Sequence, residues 1–588
     1  MGEPFHPDDG SGSERYEECK NRSADSNNRG ARIDGIDLAN ALGVTVNPDS
    51  APWMAARAAL RAGCEPRHPR LKEAAAALEK NQVDDAARIL SKFLDTHPGD
   101  IDALNFVAEL LMERKRYEDA ERVLARCVAG DAHFDLARFN LATALFYSGE
   151  LRPAIDQIGI LLRKNAHNPL YCDLMAASLS NAGLYHEALD YRHRLTEKFS
   201  SSGWAWLSYG RSLRAVGRRE ECIAAYRRAI ELSPALGRAW WELAHLKNYR
   251  FTERETELMR AQVAQPNLLQ EERPPLHYAL GKACGDLGAW AKSFNHYARA
   301  NAMLCMTSPY EPDRTTARAS SIRALFTMEF FAERAGAGCS ARDPIFIVGM
   351  QRAGSTLVEQ ILASHSAIEG TGERTDMARF AKKLHDDGGP LGPDYARNLR
   401  ALDRDGLRRE GEAYLERIEF RRVLGRPHFA DKQPYNFWHV GLIHLVLPHA
   451  KIIDVRRHPV ACCFSNFTQN YVTETAPFSH RLADLARHYR DYVDVMAHFD
   501  RVLPGRIYRL NYEQLVAEPA KEIHQLLDHL GLPFESACLE FYRNDRAMDS
   551  ASSEQVRSPI FVGAVDWWRN YEPWLAPLKS ALGPALTG

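Results

Sequence analysis

Small side chains recur along this chain with a period of 34 residues, and this period limits the fold more than any other feature. One series consists of Ala86, Ala120, Ala154, Ala188 and Cys222. A second series lies twelve positions upstream of the first, at Ala74, Ala108, Ala142, Ala176 and Gly210. Small residues at these positions let two helices approach closely, so the period predicts an array of stacked helix pairs.

Residues 203–234 carry the most complete version of the repeat. The residues that match the tetratricopeptide signature follow one another in order: Trp206, Gly210, Gly217, Tyr226 and Ala229. We therefore predict an all-α tetratricopeptide solenoid over residues 51–305 and a helical connector over residues 306–342. Residues 1–50 are polar and are predicted to be disordered. Stacked helix pairs present a concave surface, which favours a protein or peptide segment as the partner of this half.

Composition narrows the function classes. The 588 residues carry a net charge of -2 and are 45% hydrophobic, which does not indicate a nucleic-acid partner. No apolar run is long enough for a membrane span, and the N-terminus lacks the charged segment followed by an apolar segment that is typical of a signal peptide. The 11 cysteines are scattered and have no C-x-x-C spacing, which is typical of reduced thiols in a cytoplasmic protein.

From residue 343 onward, short apolar runs alternate with amphipathic helices. Strand and helix are predicted in turn at 345–349 and 356–364, at 451–455 and 460–467, and at 506–510 and 521–530. This alternation predicts an α/β domain over residues 343–588, with a parallel sheet and helices on both of its faces.

The segment that begins this domain has the spacing of a Walker A phosphate loop. A buried strand ends at Gly349, and Arg352, Ala353, Gly354, Ser355 and Thr356 lead into a helix. The N–H groups of such a turn bind phosphate, although a plain strand-to-helix turn is the alternative. Serine replaces the Walker lysine, which disfavours a kinase or other nucleotide triphosphatase.

A second phosphate contact is predicted about a hundred residues further on. Arg457 follows the strand predicted at 451–455, and Ser465 lies eight positions later on the following helix. A guanidinium and a hydroxyl can bind one phosphate together, whereas a solvent-exposed arginine and serine are the alternative. Two phosphate contacts at neighbouring strand ends indicate a nucleotide with phosphates at both ends.

This pattern resembles the sulfotransferase family that uses 3′-phosphoadenosine 5′-phosphosulfate (PAPS). The resemblance extends to the bacterial tetratricopeptide-repeat sulfotransferases related to tyrosylprotein sulfotransferases, and it covers residues 343–588. It implies that residues 352–356 bind the 5′-phosphosulfate, while Arg457 and Ser465 bind the 3′-phosphate. No metal is expected, because a sulfuryl group carries less charge than a γ-phosphoryl group.

The resemblance implies roles for four further residues. Glu373, in a Gly-Glu-Arg segment, resembles the catalytic carboxylate, with an ion pair to Arg374 as the alternative. Lys432 resembles the lysine at the oxygen that leaves sulfur, with a surface position as the alternative. Ser552 resembles a serine that contacts the same region. Tyr512 resembles a residue that lines the nucleotide pocket, with packing against the sheet edge as the alternative.

The sequence departs from the family pattern at Ala353, His458, Ala461 and Ser558. The leading hypothesis is a PAPS-dependent sulfotransferase that acts on a tyrosine hydroxyl in a protein or peptide. A glycan or small-molecule hydroxyl is the next acceptor class. The competing hypothesis, motivated by the departures, is a tetratricopeptide scaffold whose C-terminal domain is catalytically weak.

Overall fold

The computed structural model describes residues 51–588 except 63–67, 81, 247, 386–392, 472–475, 551, 561, 562, 564, 587 and 588. The predicted disorder of residues 1–50 lies outside the described residues. The chain divides between Ser148 and Gly149 into two compact units. The predicted domain boundaries after residues 50, 305 and 342 remain predictions.

The first unit is helical. Its helices are α1 (Ala51–Ala62), α2 (Pro69–Glu79), α3 (Val83–Leu94), α4 (Ile101–Glu113), α5 (Tyr117–Gly130) and α6 (Asp135–Ser148). Helix α2 packs on α3 and α4 packs on α5, as a helix-pair repeat requires. The predicted small residues of this unit are fully buried: Ala74, Ala86, Ala108, Ala120 and Ala142.

The second unit opens with helices that continue the same pattern. They are α7 (Leu151–Lys164), α8 (Pro169–Asn181), α9 (Tyr185–Lys198), α10 (Gly203–Ala215), α11 (Arg219–Leu232), α12 (Gly237–His245), α13 (Glu253–Ala264), α14 (Arg273–Asp286), α15 (Trp290–Thr307), α16 (Pro312–Leu325) and α17 (Met328–Ala332). A Cβ on Gly210 would lie 2.5 Å from the Tyr226 ring, and one on Gly281 would lie 2.7 Å from Tyr297. Close helix packing therefore explains why these positions are small.

A five-stranded sheet follows in the same unit. The strands are β1 (Pro344–Gly349), β2 (Ile368–Gly370), β3 (His428–Lys432), β4 (Lys451–Arg456) and β5 (Ile507–Asn511). All neighbouring strands are parallel, in the order β2-β3-β1-β4-β5. The α/β fold class with a parallel sheet is confirmed, and β1 lies at its centre.

The helices of this part lie between the strands and after the last one. They are α18 (Ser355–Ala363), α19 (Asp376–Lys383), α20 (Pro393–Ala401), α21 (Arg404–Glu419), α22 (Val440–Val446), α23 (Pro459–Phe467), α24 (Leu482–Val502), α25 (Tyr512–Ala517), α26 (Pro519–Leu530) and α27 (Ala576–Leu582). Since β1 and β4 are adjacent and parallel, the loops after them open at the same edge of the sheet. None of the helices in the described parts of the chain is long and apolar enough to cross a bilayer.

Candidate active site

The loop between β1 and α18 has the backbone shape of an anion cradle. Three of its residues have a positive φ, which is 141° at Gly349, 66° at Arg352 and 107° at Gly354. The amides after Gly354 belong to the first turn of α18, where N–H groups have no acceptor within the helix. Such N–H groups favour a bound anion.

Close neighbours also require glycine in this loop. A Cβ on Gly349 would lie 2.5 Å from the carbonyl oxygen of Val455 in β4, and one on Gly354 would lie 2.4 Å from the ring of Tyr512. Ala353 is buried, and its N–H donates to the Met350 carbonyl oxygen at 3.3 Å. The loop is therefore packed against β4 and against the residue that follows β5.

Helix α23 holds the loop from another side. The Asn466 amide donates to the Gln351 carbonyl oxygen at 2.9 Å, and the Cys462 thiol donates to the same oxygen at 3.2 Å. The Tyr471 hydroxyl donates to the Asn466 side-chain oxygen at 2.6 Å. These supporting residues were not predicted, because they belong to no motif and only the fold brings them to the loop.

Arg352 joins three separate segments of the chain. Its Nε donates to the Ser465 hydroxyl at 3.4 Å, and its Nη1 donates to the Ser552 hydroxyl at 3.1 Å. Both partners are uncharged, so neither neutralises the guanidinium. Desolvation lowers the pKa of Arg352, and the charge of the nearby Arg457 lowers it further. The site therefore holds positive charge that an anionic ligand would stabilise.

Arg457 lies beside the loop. Its Nη1 donates to the Arg352 carbonyl oxygen at 3.2 Å, and its guanidinium carbon lies 5.0 Å from the centroid of the Tyr512 ring. Tyr512 thus packs on Arg457 and also lies close to Gly354. The predicted neighbour of Arg457, Ser465, makes its hydrogen bond to Arg352 instead.

Lys432 and Glu373 meet at the end of β3. The Lys432 ammonium donates directly to the Glu373 carboxylate, although the two residues are 59 positions apart. The Lys432 side chain is 2% exposed, which excludes the surface position considered from the sequence, whereas Glu373 is 51% exposed. Arg374 pairs with Asp376 at 3.1 Å rather than with Glu373. A carboxylate open to solvent beside a buried cation suits a proton acceptor at an acceptor-substrate site.

The backbone around Glu373 is fixed by two contacts. The Gly372 N–H donates to the Glu359 carboxylate of α18 at 3.0 Å, and the Lys432 N–H donates to the Gly372 carbonyl oxygen at 3.1 Å. Glu359 was not singled out from the sequence, since a glutamate within an apolar helix has no spacing that marks it. Glu359 links the segment that contains Glu373 to α18, the helix that follows the phosphate loop.

Asp431 lies directly before Lys432 and is fully buried. The Tyr414 hydroxyl donates to its Oδ2 at 2.9 Å, while Oδ1 has no hydrogen-bond partner among the described residues. Desolvation raises the pKa of Asp431 to about 8, although the charge of Arg374 opposes the shift. The Asp431 carboxyl group is thus protonated in the folded protein at neutral and lower pH.

Comparison with known proteins finds family matches in both halves of the chain. Residues 344–536 match the family model described as "Sulfotransferase family", and residues 77–131 and 203–246 match tetratricopeptide repeat models.

Within the parts of the chain that the structure describes, no group of three or more His, Cys, Asp or Glu residues is arranged to hold a metal ion.

An uncharacterized protein of Aquifex aeolicus (strain VF5) is 28% identical over 68% of this chain, which spans 53% of that protein's own length. Protein-tyrosine sulfotransferase 1 of Danio rerio is 24% identical over 41% of this chain and 71% of that protein. The sulfotransferase domain of the Synechococcus PCC 7002 olefin synthase aligns with 40% of this chain and 90% of its own, at 21% identity and a TM-score of 0.30. The chain combines tetratricopeptide repeats with a C-terminal domain of the sulfotransferase family.

Proposed function

We propose that this protein is a PAPS-dependent sulfotransferase that transfers a sulfuryl group to an acceptor hydroxyl. The observation that carries the proposal is the set of contacts around Arg352. Its side chain binds Ser465 and Ser552, and its carbonyl oxygen accepts a hydrogen bond from Arg457. Residues proposed for the two phosphate groups of one nucleotide thus share direct contacts although they come from three distant segments.

The residues present fit a nucleotide with anionic groups at both ends. The loop from Gly349 to Thr356 offers N–H groups and the hydroxyls of Ser355 and Thr356, and Arg352 supplies a cation. Arg457 and Ser465 follow the adjacent strand and are assigned to the 3′-phosphate. Tyr512 is assigned to the wall of the pocket, because its ring already contacts both Arg457 and Gly354.

The proposed chemistry uses Glu373 and Lys432 as a pair. When bound, PAPS supplies a sulfuryl group attached to a phosphate leaving group. Glu373 is exposed and accepts the proton of the acceptor hydroxyl. Lys432 is buried and stabilises the negative charge that develops on the leaving oxygen, together with Arg352 and the loop N–H groups. The direct contact between the two side chains keeps proton acceptor and cation within one small site.

We propose a tyrosine hydroxyl of a protein or peptide as the acceptor. The relative from Danio rerio supports this class, since it is a protein-tyrosine sulfotransferase. The tetratricopeptide repeats support it independently, because such arrays bind peptide segments along their concave face. A glycan or small-molecule hydroxyl is the second acceptor class.

Two of the departures from the family pattern are compatible with donor binding. Ala353 is 1% exposed, so its missing hydroxyl leaves an apolar side chain in a packed position. The N–H of His458 donates to the Glu513 carboxylate at 2.9 Å, and its ring stacks on Trp568. These contacts hold His458 in place directly before α23, although the acidic residue usual in the family is absent.

The proposal is tested by calorimetric titration of the full-length protein with adenosine 3′,5′-bisphosphate (PAP) in the absence of magnesium. We expect binding at micromolar or lower concentration and none of ATP with magnesium. A folded protein that binds neither nucleotide would favour the scaffold hypothesis. Turnover with PAPS then separates the acceptor classes, with tyrosine peptides, matched phenylalanine peptides and sugars as candidate acceptors.

A further inference from the structure

A C-terminal segment, described over residues 546–550 and 552–557, docks on the end of repeat helix α10. The carbonyl oxygen of Ala215 accepts a hydrogen bond from the Met548 N–H at 2.9 Å and another from Arg557 Nη2 at 3.1 Å. Carbonyl groups in the last turn of a helix have no partner within that helix. The segment therefore satisfies an acceptor that the repeat leaves open.

Ion pairs reinforce this contact. Arg214 Nη2 lies 3.0 Å from Asp549 Oδ1, and Arg219 Nε lies 3.4 Å from Glu554 Oε2. Arg214 is itself held in place, because its Nη1 lies 2.9 Å from Glu242 Oε2 on α12 and contacts His245 at 2.9 Å. The Arg214 side chain is 10% exposed, so its geometry is set by packing as well as by charge.

The same segment also touches both parts of the candidate active site. Ser552 accepts the hydrogen bond from Arg352 at 3.1 Å. Arg546 pairs with Glu359 at 3.1 Å, and Glu359 accepts the N–H of Gly372 next to Glu373. Arg557 Nη2 completes the link, since it also donates to the Arg546 carbonyl oxygen at 3.3 Å.

We propose that residues 214–217, which form the end of α10 and the turn after it, are a positioning element of the sulfotransferase site. In this view the repeat does more than recruit an acceptor, because it fixes the segment that carries Ser552 and Arg546. Arg214 and Arg557 are positioning residues that act through this segment. The inference rests on the proposed function for its catalytic meaning, while the docking of the segment is measurable without any nucleotide.

The repeats supply a matched pair of glycines for the test. Gly183 and Gly217 lie 34 positions apart at equivalent turns, with φ of 83° and 79°. A Cβ on Gly217 would lie 2.6 Å from Arg557 Nη1, whereas a Cβ on Gly183 would meet nothing within 4 Å. Alanine therefore introduces similar backbone strain at both positions, and only Gly217→Ala displaces the Arg557 guanidinium.

The experiment compares full-length wild type with Gly217→Ala, Gly183→Ala, Arg557→Gln and Arg557→Lys. Amide hydrogen exchange of residues 546–557 and of the loop 349–356 is followed by mass spectrometry without ligand, and PAP affinity and turnover are measured in parallel. We expect faster exchange of both segments in Gly217→Ala and Arg557→Gln, and about a tenfold loss of PAP affinity. Gly183→Ala should match wild type in the exchange of both segments and in PAP affinity. Arg557→Lys should lose less PAP affinity than Arg557→Gln.

Each other outcome overturns the inference or the proposed function separately. Equal behaviour of Gly217→Ala and Gly183→Ala would exclude a positioning role for the turn. Faster exchange of residues 546–557 with unchanged exchange of the loop and unchanged PAP affinity would also exclude it. If wild type binds no PAP, the proposed function fails, and the exchange of the loop in the variants still decides whether the turn positions it.

Discussion

Arg457 donates a hydrogen bond to the backbone carbonyl oxygen of Arg352, at 3.2 Å, across two neighbouring strand ends. Arg352 has a φ of 66°, a region that costs a non-glycine residue on the order of 1 kcal/mol. The hydrogen bond from Arg457 helps to hold this unfavourable backbone. The two arginines are therefore in direct contact, although the sequence suggests two separate phosphate contacts.

Substitution of Arg457 by alanine should weaken the binding of PAP more than the binding of adenosine 5′-phosphosulfate. We expect a loss of about 2 kcal/mol or more for PAP, because we assign to Arg457 a charged hydrogen bond to the 3′-phosphate. The loss for adenosine 5′-phosphosulfate should be smaller but measurable, because Arg352 loses its support. Calorimetry measures both values, and Arg509→Ala on β5 is the control. Equal losses for the two nucleotides would contradict the assignment of Arg457 to the 3′-phosphate.

Substitution of Glu373 by glutamine should remove turnover and spare donor binding. Glutamine keeps the size of the side chain but cannot accept a proton, so the rate should fall by about 10² or more. PAP affinity should stay close to that of wild type, because Glu373 is assigned to the acceptor side. Glu333→Gln, at an exposed glutamate on the surface, is the control. Normal turnover in Glu373→Gln would remove this residue from the mechanism.

Substitution of Lys432 by methionine should slow transfer through the loss of a preorganised cation. Removal of one such group typically costs about 10²–10³ in rate. Methionine fills the buried position without charge, so the protein should remain folded. Single-turnover measurements with PAPS separate this effect from changes in affinity. A loss that appears only in affinity would argue that Lys432 binds the donor without assisting the reaction.

Substitution of Gly354 by alanine should abolish PAP binding. The residue has a φ of 107°, and the new Cβ would lie 2.4 Å from the Tyr512 ring. Gly531→Ala is the matched control, since its φ is also positive at 77° and a Cβ there would meet nothing within 4 Å. Both variants should lose roughly 1 kcal/mol of stability through backbone strain, and Gly354→Ala should lose more because its Cβ also overlaps the Tyr512 ring. If Gly354→Ala binds PAP normally, the loop geometry is not required for the donor.

Asp431 should make stability fall as pH rises. Its pKa is raised from 3.8 to about 8 in the fold, so the folded protein holds a proton that the unfolded chain releases above about pH 4. Relative to Asp431→Asn, wild type should lose at most about 1.4 kcal/mol of stability for each pH unit in this window. Thermal midpoints measured between about pH 5 and pH 8 test this. A constant difference between the two proteins across the range would show that the carboxyl does not titrate there.

Strands β1, β4 and β5 were predicted because each is a short apolar run that leads into a helix. Strand β3 was not, since it ends in Asp431 and Lys432, two ionisable residues that the fold nevertheless buries. Their partners, Tyr414 and Glu373, are distant in sequence, so no local pattern reveals how these two side chains are accommodated. Strand β2 has three residues, too few to show a period.

The motif residues of the site were predicted from spacing and family resemblance, whereas the contacts that support them were not. Asn466 and Tyr471 hold the loop through hydrogen bonds that depend on the path of the chain after α23. Arg214 and Asp549 are 335 positions apart and meet only because the repeat helix lies beside the C-terminal segment. Such pairs follow from tertiary structure, and a single sequence does not contain them as a pattern.

The different surroundings of Gly183 and Gly217 limit how this repeat array can change in length. Each unit of such an array contacts mainly its neighbours, so genetic duplication or loss of a unit is usually tolerated. Here an inserted or deleted unit between Gly217 and β1 would bring another turn opposite Arg557. We expect variation in repeat number among descendants of this gene to occur before α10, where the register with Arg557 is unaffected.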